Sequence, residues 1–247
     1  MAGHSKWSNI QHRKGAQDKK RAKIFTKIIH EITTAAKMGG SDKESNPRLR
    51  TAIEKANAAN MPKDNINRAI KKGSSGDNAT DMHELRYEGY GTNGVAVIVE
   101  CLTDNKNRTA AEVRHAFSKC GGNLGTDGCV SYLFEHKGII IAEYKDEEQL
   151  MEIAITAGAD DIIIHDDNTA EIHTSTSNLH SIKEHMENNS ITCTSADTTF
   201  TGKTEVELNL EQAEKLMRLI NMLEDIDDVQ NVYNNASVSD EISAQLM

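Results

Sequence analysis

The sequence predicts an α+β protein: an N-terminal three-helix domain plus two ferredoxin-like α/β domains, one inserted in the other. Three observations carry this. Apolar residues recur at helical spacing through the first 72 residues. Beyond residue 82 the pattern changes to alternating strands and helices. Residues 138–200 then read as a complete βαββαβ run, the ferredoxin-like arrangement, with one unpaired βαβ half on each side. A lone βαβ half cannot bury a sheet face. The halves at 82–137 and 204–247 are therefore expected to join around an insert at 138–203, with two consecutive, non-nested domains as the alternative. Residues 1–75 form the basic helical domain in this reading.

The elements follow in chain order. Residues 1–16 read as a polar, basic arm. A helix from about Asp18 to Lys37 carries Phe25, Ile28, Ile29, Ile32 and Ala36 at helical spacing, which places Lys19, Lys20, Lys23 and Lys27 opposite. Asn46-Pro47 starts a second helix: asparagine caps, and proline suits the first turn because its missing N–H would be unpaired there anyway. Leu49, Ile53 and Ala56 face inward. A third helix runs from about Pro62 to just before Gly73, with Ile66, Ala69 and Ile70 inward, and Gly73 to Asn78 read as a linker. Strands follow at Glu84–Tyr90 and Val95–Thr103, a helix at Arg108–Cys120 stopped by Gly121-Gly122, and a strand at Cys129–Glu135. The insert reads strand Gly138–Tyr144, helix Glu147–Ala157 capped by Asp146 with Gln149, strands Asp161–His165 and Ala170–Thr174, helix Asn178–Asn188 and strand Thr192–Phe200. The last half reads strand Thr204–Leu208, helix Leu210–Glu224 capped by Asn209 with Gln212, and strand Asp228–Tyr233.

Charge is distributed unevenly. The chain carries a formal −10, yet residues 1–72 hold 17 Lys and Arg against 6 Asp and Glu, a net of +11. The remainder holds 11 against 32, a net of −21. Such asymmetry points to a polyanion-binding module on an acidic body. Its alternative is an internal clamp in which the basic third packs on acidic partners. Aromatic residues make up only 4% of the chain, which argues against base stacking as the main binding device. No apolar run is long enough to span a membrane and the N-terminus lacks a signal-peptide core, so a cytoplasmic protein with no membrane partner is expected.

The motifs exclude more than they assign. Gly89-Tyr90-Gly91-Thr92-Asn93-Gly94 matches a dinucleotide fingerprint in letters, but a strand follows where a helix is required, so it reads as a turn between strands. Cys101, Cys120, Cys129 and Cys193 form no C-x-x-C pair and read as reduced thiols. The acidic stretch Glu224 to Asp228 fits no calcium loop and reads as a solvated helix end. No spacing assigns a nucleophile, base and stabiliser. The chain is therefore read as non-enzymatic, with no cofactor and no metal, and an enzyme built from scattered residues of the α/β domains is the lesser alternative. Binding is assigned instead to Lys6, Arg13 and Lys14 of the arm and to Lys19, Lys20, Arg21, Lys23 and Lys27 of the first helix. Arginine can fork onto phosphate and lysine acts as a mobile point charge. Trp7, the only tryptophan, either stacks on a base or anchors packing. Lys106, Arg108 and Arg114 are additional local basic spots. No base-reading element is recognised, so sequence specificity is not expected.

Several stretches carry a resemblance: Met1-Ala2-Gly3-His4-Ser5-Lys6-Trp7, Lys23-Ile24-Phe25-Thr26-Lys27-Ile28, Asn46-Pro47-Arg48-Leu49-Arg50, Tyr87-Glu88-Gly89-Tyr90-Gly91, Asn107-Arg108-Thr109-Ala110, Gly121-Gly122-Asn123-Leu124-Gly125 and Lys215-Leu216-Met217-Arg218-Leu219-Ile220. Together they resemble the bacterial YebC family over essentially the whole chain, most weakly in the insert. The resemblance implies three domains and a nucleic-acid-binding regulator of gene expression, foremost a DNA-binding transcriptional regulator. The alternative it implies is a ribosome-associated translation factor that contacts ribosomal RNA and relieves stalling on proline-rich sequences. It also implies that Lys6, Arg13, Lys14, Lys19, Lys20, Arg21 and Lys27 take the binding role. Two departures stand out. His30 occupies a position where the family often has arginine, and Thr92-Asn93 replaces a usual Pro-Gly.

Overall fold

The computed structural model describes residues 17–75, 82–165 and 167–246. These form two compact units. One comprises the described residues up to Ser131 together with those from Glu205 onward, and the other is Tyr132–Thr204.

The first unit begins with three helices: α1 (Gln17–Gly39), α2 (Pro47–Ala58) and α3 (Lys63–Ser74). Their shared core is Ile32, Ala35, Ala36, Leu49, Ala52, Ala56, Met61, Ile66 and Ala69. Asn46 fixes the corner between α1 and α2. Its Oδ1 accepts from Leu49 N at 3.1 Å, and its Nδ2 donates to the carbonyls of Ala35 and Gly40 at 2.8 and 2.9 Å. One buried side chain thus caps the start of one helix and the end of another. Gly73 does not stop α3, as the sequence reading had it, but lies inside the helix. A Cβ there would sit 2.3 Å from Thr33 O, so glycine is what allows α3 to approach α1 this closely. Residues 76–78 of the expected linker lie outside the described residues.

The same unit continues with β1 (His83–Tyr90), β2 (Ala96–Thr103), α4 (Lys106–Lys119) and β3 (Asn123–Leu124). After the second unit it resumes with β8 (Val206–Glu207), α7 (Leu210–Glu224), β9 (Val229–Asn234), β10 (Ala236–Ser237) and α8 (Asp240–Leu246). The turn between β1 and β2 has Asn93 at φ 54° and Gly94 at φ 74°, closed by Val95 N donating to Thr92 O at 3.1 Å. Two consecutive left-handed residues are what a tight hairpin turn demands, so the glycine-rich stretch is a turn and no nucleotide loop. The sheet order is β3-β1-β2-β9, antiparallel throughout. Helices α4 and α7 cover it, with Val113, Ala116, Phe117, Leu216, Leu219, Ile220 and Leu223 packed on Val95, Val97 and Val99.

This spatial order is ferredoxin-like, but the connectivity is permuted. The strand expected over Thr204–Leu208 forms only as Val206–Glu207, and it pairs with β10 in a separate two-stranded ladder. Its place in the main sheet is taken by β1, the hairpin partner of β2. A hairpin closes over a few residues, whereas Val206 must return from beyond the whole insert, so local pairing wins.

The second unit comprises β4 (Phe134–Glu143), α5 (Glu147–Ala157), β5 (Asp161–Ile164), β6 (Thr169–Thr174), α6 (Leu179–Asn188) and β7 (Thr192–Gly202). Its sheet order β5-β6-β4-β7 is the ferredoxin-like order. The strands expected at Cys129–Glu135 and Gly138–Tyr144 are corrected to one strand, β4, preceded by a single 3-10 turn at Ser131–Leu133. Gly138 interrupts the apolar run in sequence but not the ladder: it pairs with Thr174 on one side and Thr198 on the other. A Cβ there would lie 3.0 Å from Leu179 Cδ1, so the glycine makes room for the start of α6. The capping pairs hold. Asp146 accepts from Gln149 N at 3.2 Å, and Asn209 and Gln212 form a reciprocal capping box.

On β6, Glu171 and His173 are buried on the face opposite the core residues Ala170 and Ile172. Glu171 Oε2 lies 3.4 Å from His173 Nε2, and its Oε1 lies 3.4 Å from His165 Nε2. The hydrogen bond from His173 leads the effects that hold the Glu171 carboxyl below the usual carboxylate range, against the opposing effect of burial. A carboxyl with a depressed folded-state pKa contributes stability that is present above its unfolded pKa and lost as pH falls through the folded one. Glu171→Gln should therefore flatten the acid limb: melting temperatures of wild type and variant, followed from neutrality down through the carboxylate range, converge at the acid end.

Candidate nucleic-acid interface

The structure places the expected binding residues in three groups. Lys6, Trp7, Arg13 and Lys14 lie outside the described residues, as do the side chains of Lys19, Lys20 and Arg21. Lys23 and Lys27 are described, and they do not face open solvent as a free row. Lys23 Nζ donates to Asp225 Oδ1 at 2.6 Å and to Asp225 O at 3.0 Å, and Lys27 Nζ donates to Glu224 O at 3.2 Å. Two helical turns of α1 thus close onto the C-terminal end of α7. The last carbonyls of a helix lack partners within it and carry partial negative charge, which suits two ammonium groups. Burial is the main effect lowering the pKa of Lys27, with Glu224 opposing it. For these two residues the internal clamp is the geometry found.

The acidic stretch after α7 is solvated only in part: Asp225 and Asp227 are exposed, as expected of a helix end, whereas Asp228 is not. Asp228 is buried. Its carboxylate accepts from Arg108 Nη2 at 2.9 and 2.7 Å, from Thr109 Oγ1 at 2.8 Å and from Thr103 Oγ1 at 3.1 Å. Its backbone O accepts from Leu102 N at 2.8 Å. Arg108 also reaches Asp104 at 2.9 Å. The hydrogen bond to Asp228 is the first cause raising the guanidinium pKa of Arg108, and the bond to Asp104 follows. Arg108, expected as a local basic spot, is thereby committed to structure. So is Arg48 of α2, whose Nε lies 2.7 Å from Glu31 Oε1 and which also pairs with Glu84. Burial opposes its charge, and these two carboxylates more than offset that, leaving its pKa raised.

A cleft of about 850 Å³ lies beside these contacts, lined on one side by Thr26, His30, Thr33 and Lys72 and on the other by Asp104, Glu112, His115 and Asp227. Acids predominate in its lining, which disfavours phosphate there. Described cations are exposed at several places, Lys37, Lys43, Lys55, Lys106 and Arg114 among them, and four more share α3. Lys63, Arg68, Lys71 and Lys72 are all exposed, and Lys63, Lys71 and Lys72 have no acid partner among the described residues. Lys63, Arg68 and Lys71 are spaced apart in sequence, so no charge run marks this helix as basic on one side. Among the described residues no group of three His, Cys, Asp or Glu side chains is placed to hold a metal ion, and no helix is long and apolar enough to cross a membrane.

Residues 5–76 match the family model described as the TACO1/YebC protein N-terminal domain, and residues 82–236 match that of the TACO1/YebC second and third domain. Two similar proteins, from Salmonella arizonae and Escherichia coli O6:H1, are each 54% identical over 246 residues and covered in full by this chain, all of which they match. Both bear the name "Probable transcriptional regulatory protein YebC". The crystal structure of a conserved hypothetical protein from Aquifex aeolicus superposes with a TM-score of 0.83 at 46% identity, covering 94% of this chain and 97% of that one. With both family models matched and full-length relatives at this identity, the chain belongs to the TACO1/YebC family.

Proposed function

We infer that this chain is a nucleic-acid-binding regulator of gene expression, foremost a DNA-binding transcriptional regulator, that acts in the cytoplasm and holds phosphate backbones with its basic N-terminal domain, residues 1–75. One observation carries the reading: a net +11 over residues 1–72 set against −21 over the rest. An acidic body repels phosphate, so a polyanion is steered to the helical domain. The regulator names of the full-length relatives support the same reading. The grip runs through Lys6, Arg13 and Lys14, with Trp7 beside them, and on through Lys19, Lys20 and Arg21 at the start of α1. Lys23 and Lys27 serve to seat α1 on α7. Contacts of this kind position a protein on a backbone without reading sequence. The chain acts as a binder and carries no turnover.

Titrating the full chain against duplex DNA and against ribosomal RNA at several salt concentrations tests this. A protein making about 6–10 phosphate contacts loses roughly 10³–10⁵ in affinity between 50 and 200 mM salt. Binding to neither polymer at low ionic strength overturns the reading, and a preference for ribosomal RNA moves the role from transcription to translation. Within the grip, reversing Lys19, Lys20 and Arg21 to Glu weakens binding to both polymers while the circular dichroism spectrum is unchanged. Replacing Lys23 by Ala and Lys27 by Met leaves the salt slope where it was, whereas true phosphate contacts would each reduce it by about 1.

A further inference from the structure

We propose that the outward face of α3, carrying Lys63, Asn67, Arg68 and Lys71, is a second phosphate-binding surface that grips a nucleic-acid backbone alongside the arm and the start of α1. The proposal rests on the nucleic-acid reading above and extends it to residues which that reading does not include.

The geometry separates the two sides of this helix. Ile66, Ala69 and Gly73 are its buried residues, and the approach of Gly73 to Thr33 O presses that side against α1. At about 100° per residue, Asn67, Lys71 and Arg68 fall opposite the buried residues, and Lys63, about 80° from Lys71, lies at the edge of that face near Ile70. All four are exposed. A helix packed this closely presents its outer side chains from a rigid base.

The side chains are also available. Lys63 and Lys71 have no acid partner among the described residues, whereas Lys23, Arg48 and Arg108 are spent on Asp225, Glu31 and Asp228. Arg68 is pre-set by its own helix: Nε donates to Asp64 O at 3.3 Å and Nη2 to Asn65 Oδ1 at 3.2 Å. A guanidinium has five N–H donors in a fixed fork, so others remain for phosphate oxygens. Asn67 adds an uncharged donor. Asp64 is the single acid of the helix. From Lys63 to Lys71 the helix rises about 12 Å, close to three and a half 3.4 Å steps of one duplex strand. Lys72 does not belong to this face. It turns to the flank that lines the cleft with Asp104, Glu112 and Asp227, where a phosphate would be repelled.

The test compares two charge-matched triple variants of the full chain. One carries Lys63→Gln, Arg68→Gln and Lys71→Gln; the other carries Lys119→Gln, Lys145→Gln and Lys215→Gln, three exposed lysines of the acidic remainder. Both are titrated against duplex DNA and against ribosomal RNA across a salt series, with melting temperature as the folding control. The α3 triple is expected to lower the slope of log affinity against log salt by about 2–3, with an affinity loss on the order of 100-fold at 0.1 M salt on the polymer it contacts. The control triple stays near wild type. If wild type binds and the two triples behave alike, α3 is a solvated helix face and the proposal fails while the nucleic-acid reading stands. If wild type binds neither polymer at low salt, both fail. Should the α3 triple melt early, the single Lys71→Gln variant decides, with a slope change of about 1 expected.

Discussion

The turn from α7 into β9 ties the elements of the first unit to one another, because cations from two other helices end on three residues within a five-residue stretch there. Glu224 and Asp225 receive the ammonium groups of Lys27 and Lys23 from α1. Asp228 receives Arg108 and Thr109 from α4 and Thr103 from the end of β2. The first set closes a helix C-terminus, where carbonyls without helical partners would otherwise need water. The second neutralises a buried carboxylate, which is tolerated only when it is both paired and hydrogen-bonded. The helical domain and the α/β body thus meet at this short acidic stretch and again at the Arg48–Glu84 pair.

Much of the fold was legible in the sequence, and the reasons are local. Asn46-Pro47 and Asn209 with Gln212 declare helix starts through side-chain chemistry that acts within three or four residues. The Asn93-Gly94 turn is fixed by two backbone angles. The insert matched in order and in sheet topology because its four strands and two helices alternate in the full βαββαβ pattern, even though β4 pairs with β7 across the whole unit. What the sequence did not disclose was long-range. Nothing in Val206–Glu207 distinguishes a strand of the main sheet from a strand of a two-residue ladder, since the choice depends on β1 already occupying the place. Gly138 reads as a break between strands, yet it is a packing position.

The candidate site was legible in its charge and not in its assignments. Composition alone locates the basic third, because a sum of charges does not depend on folding. Which cations remain available depends on partners about 200 residues away: Lys23 finds Asp225 and Lys27 finds the carbonyl of Glu224. The helical spacing of Lys19, Lys20, Lys23 and Lys27 describes a single stripe, but a stripe long enough to span several turns can serve two purposes along its length. Conversely, the cations of α3 are dispersed in sequence and gather only when the helix is wound.

An acidic body attached to a phosphate-gripping domain is self-consistent once the neutralised groups are set aside. Asp225 is paired with Lys23 across the seam, the Glu224 carbonyl accepts from Lys27, and Asp228 is paired with Arg108 inside the body. Of the charges that remain exposed, acids such as Glu112 and Asp227 lie in the cleft, whereas Lys63 and Lys71 lie on α3 away from it. A long polyanion responds to that residual field more than to the formal net charge, because ionic screening over about 10 Å at 0.1 M salt hides distant acids from it. The overall charge of −10 therefore does not oppose binding at α3. In the proposed reading that charge restricts contact to one side, which would orient a backbone-gripping protein on its target without any base-reading element.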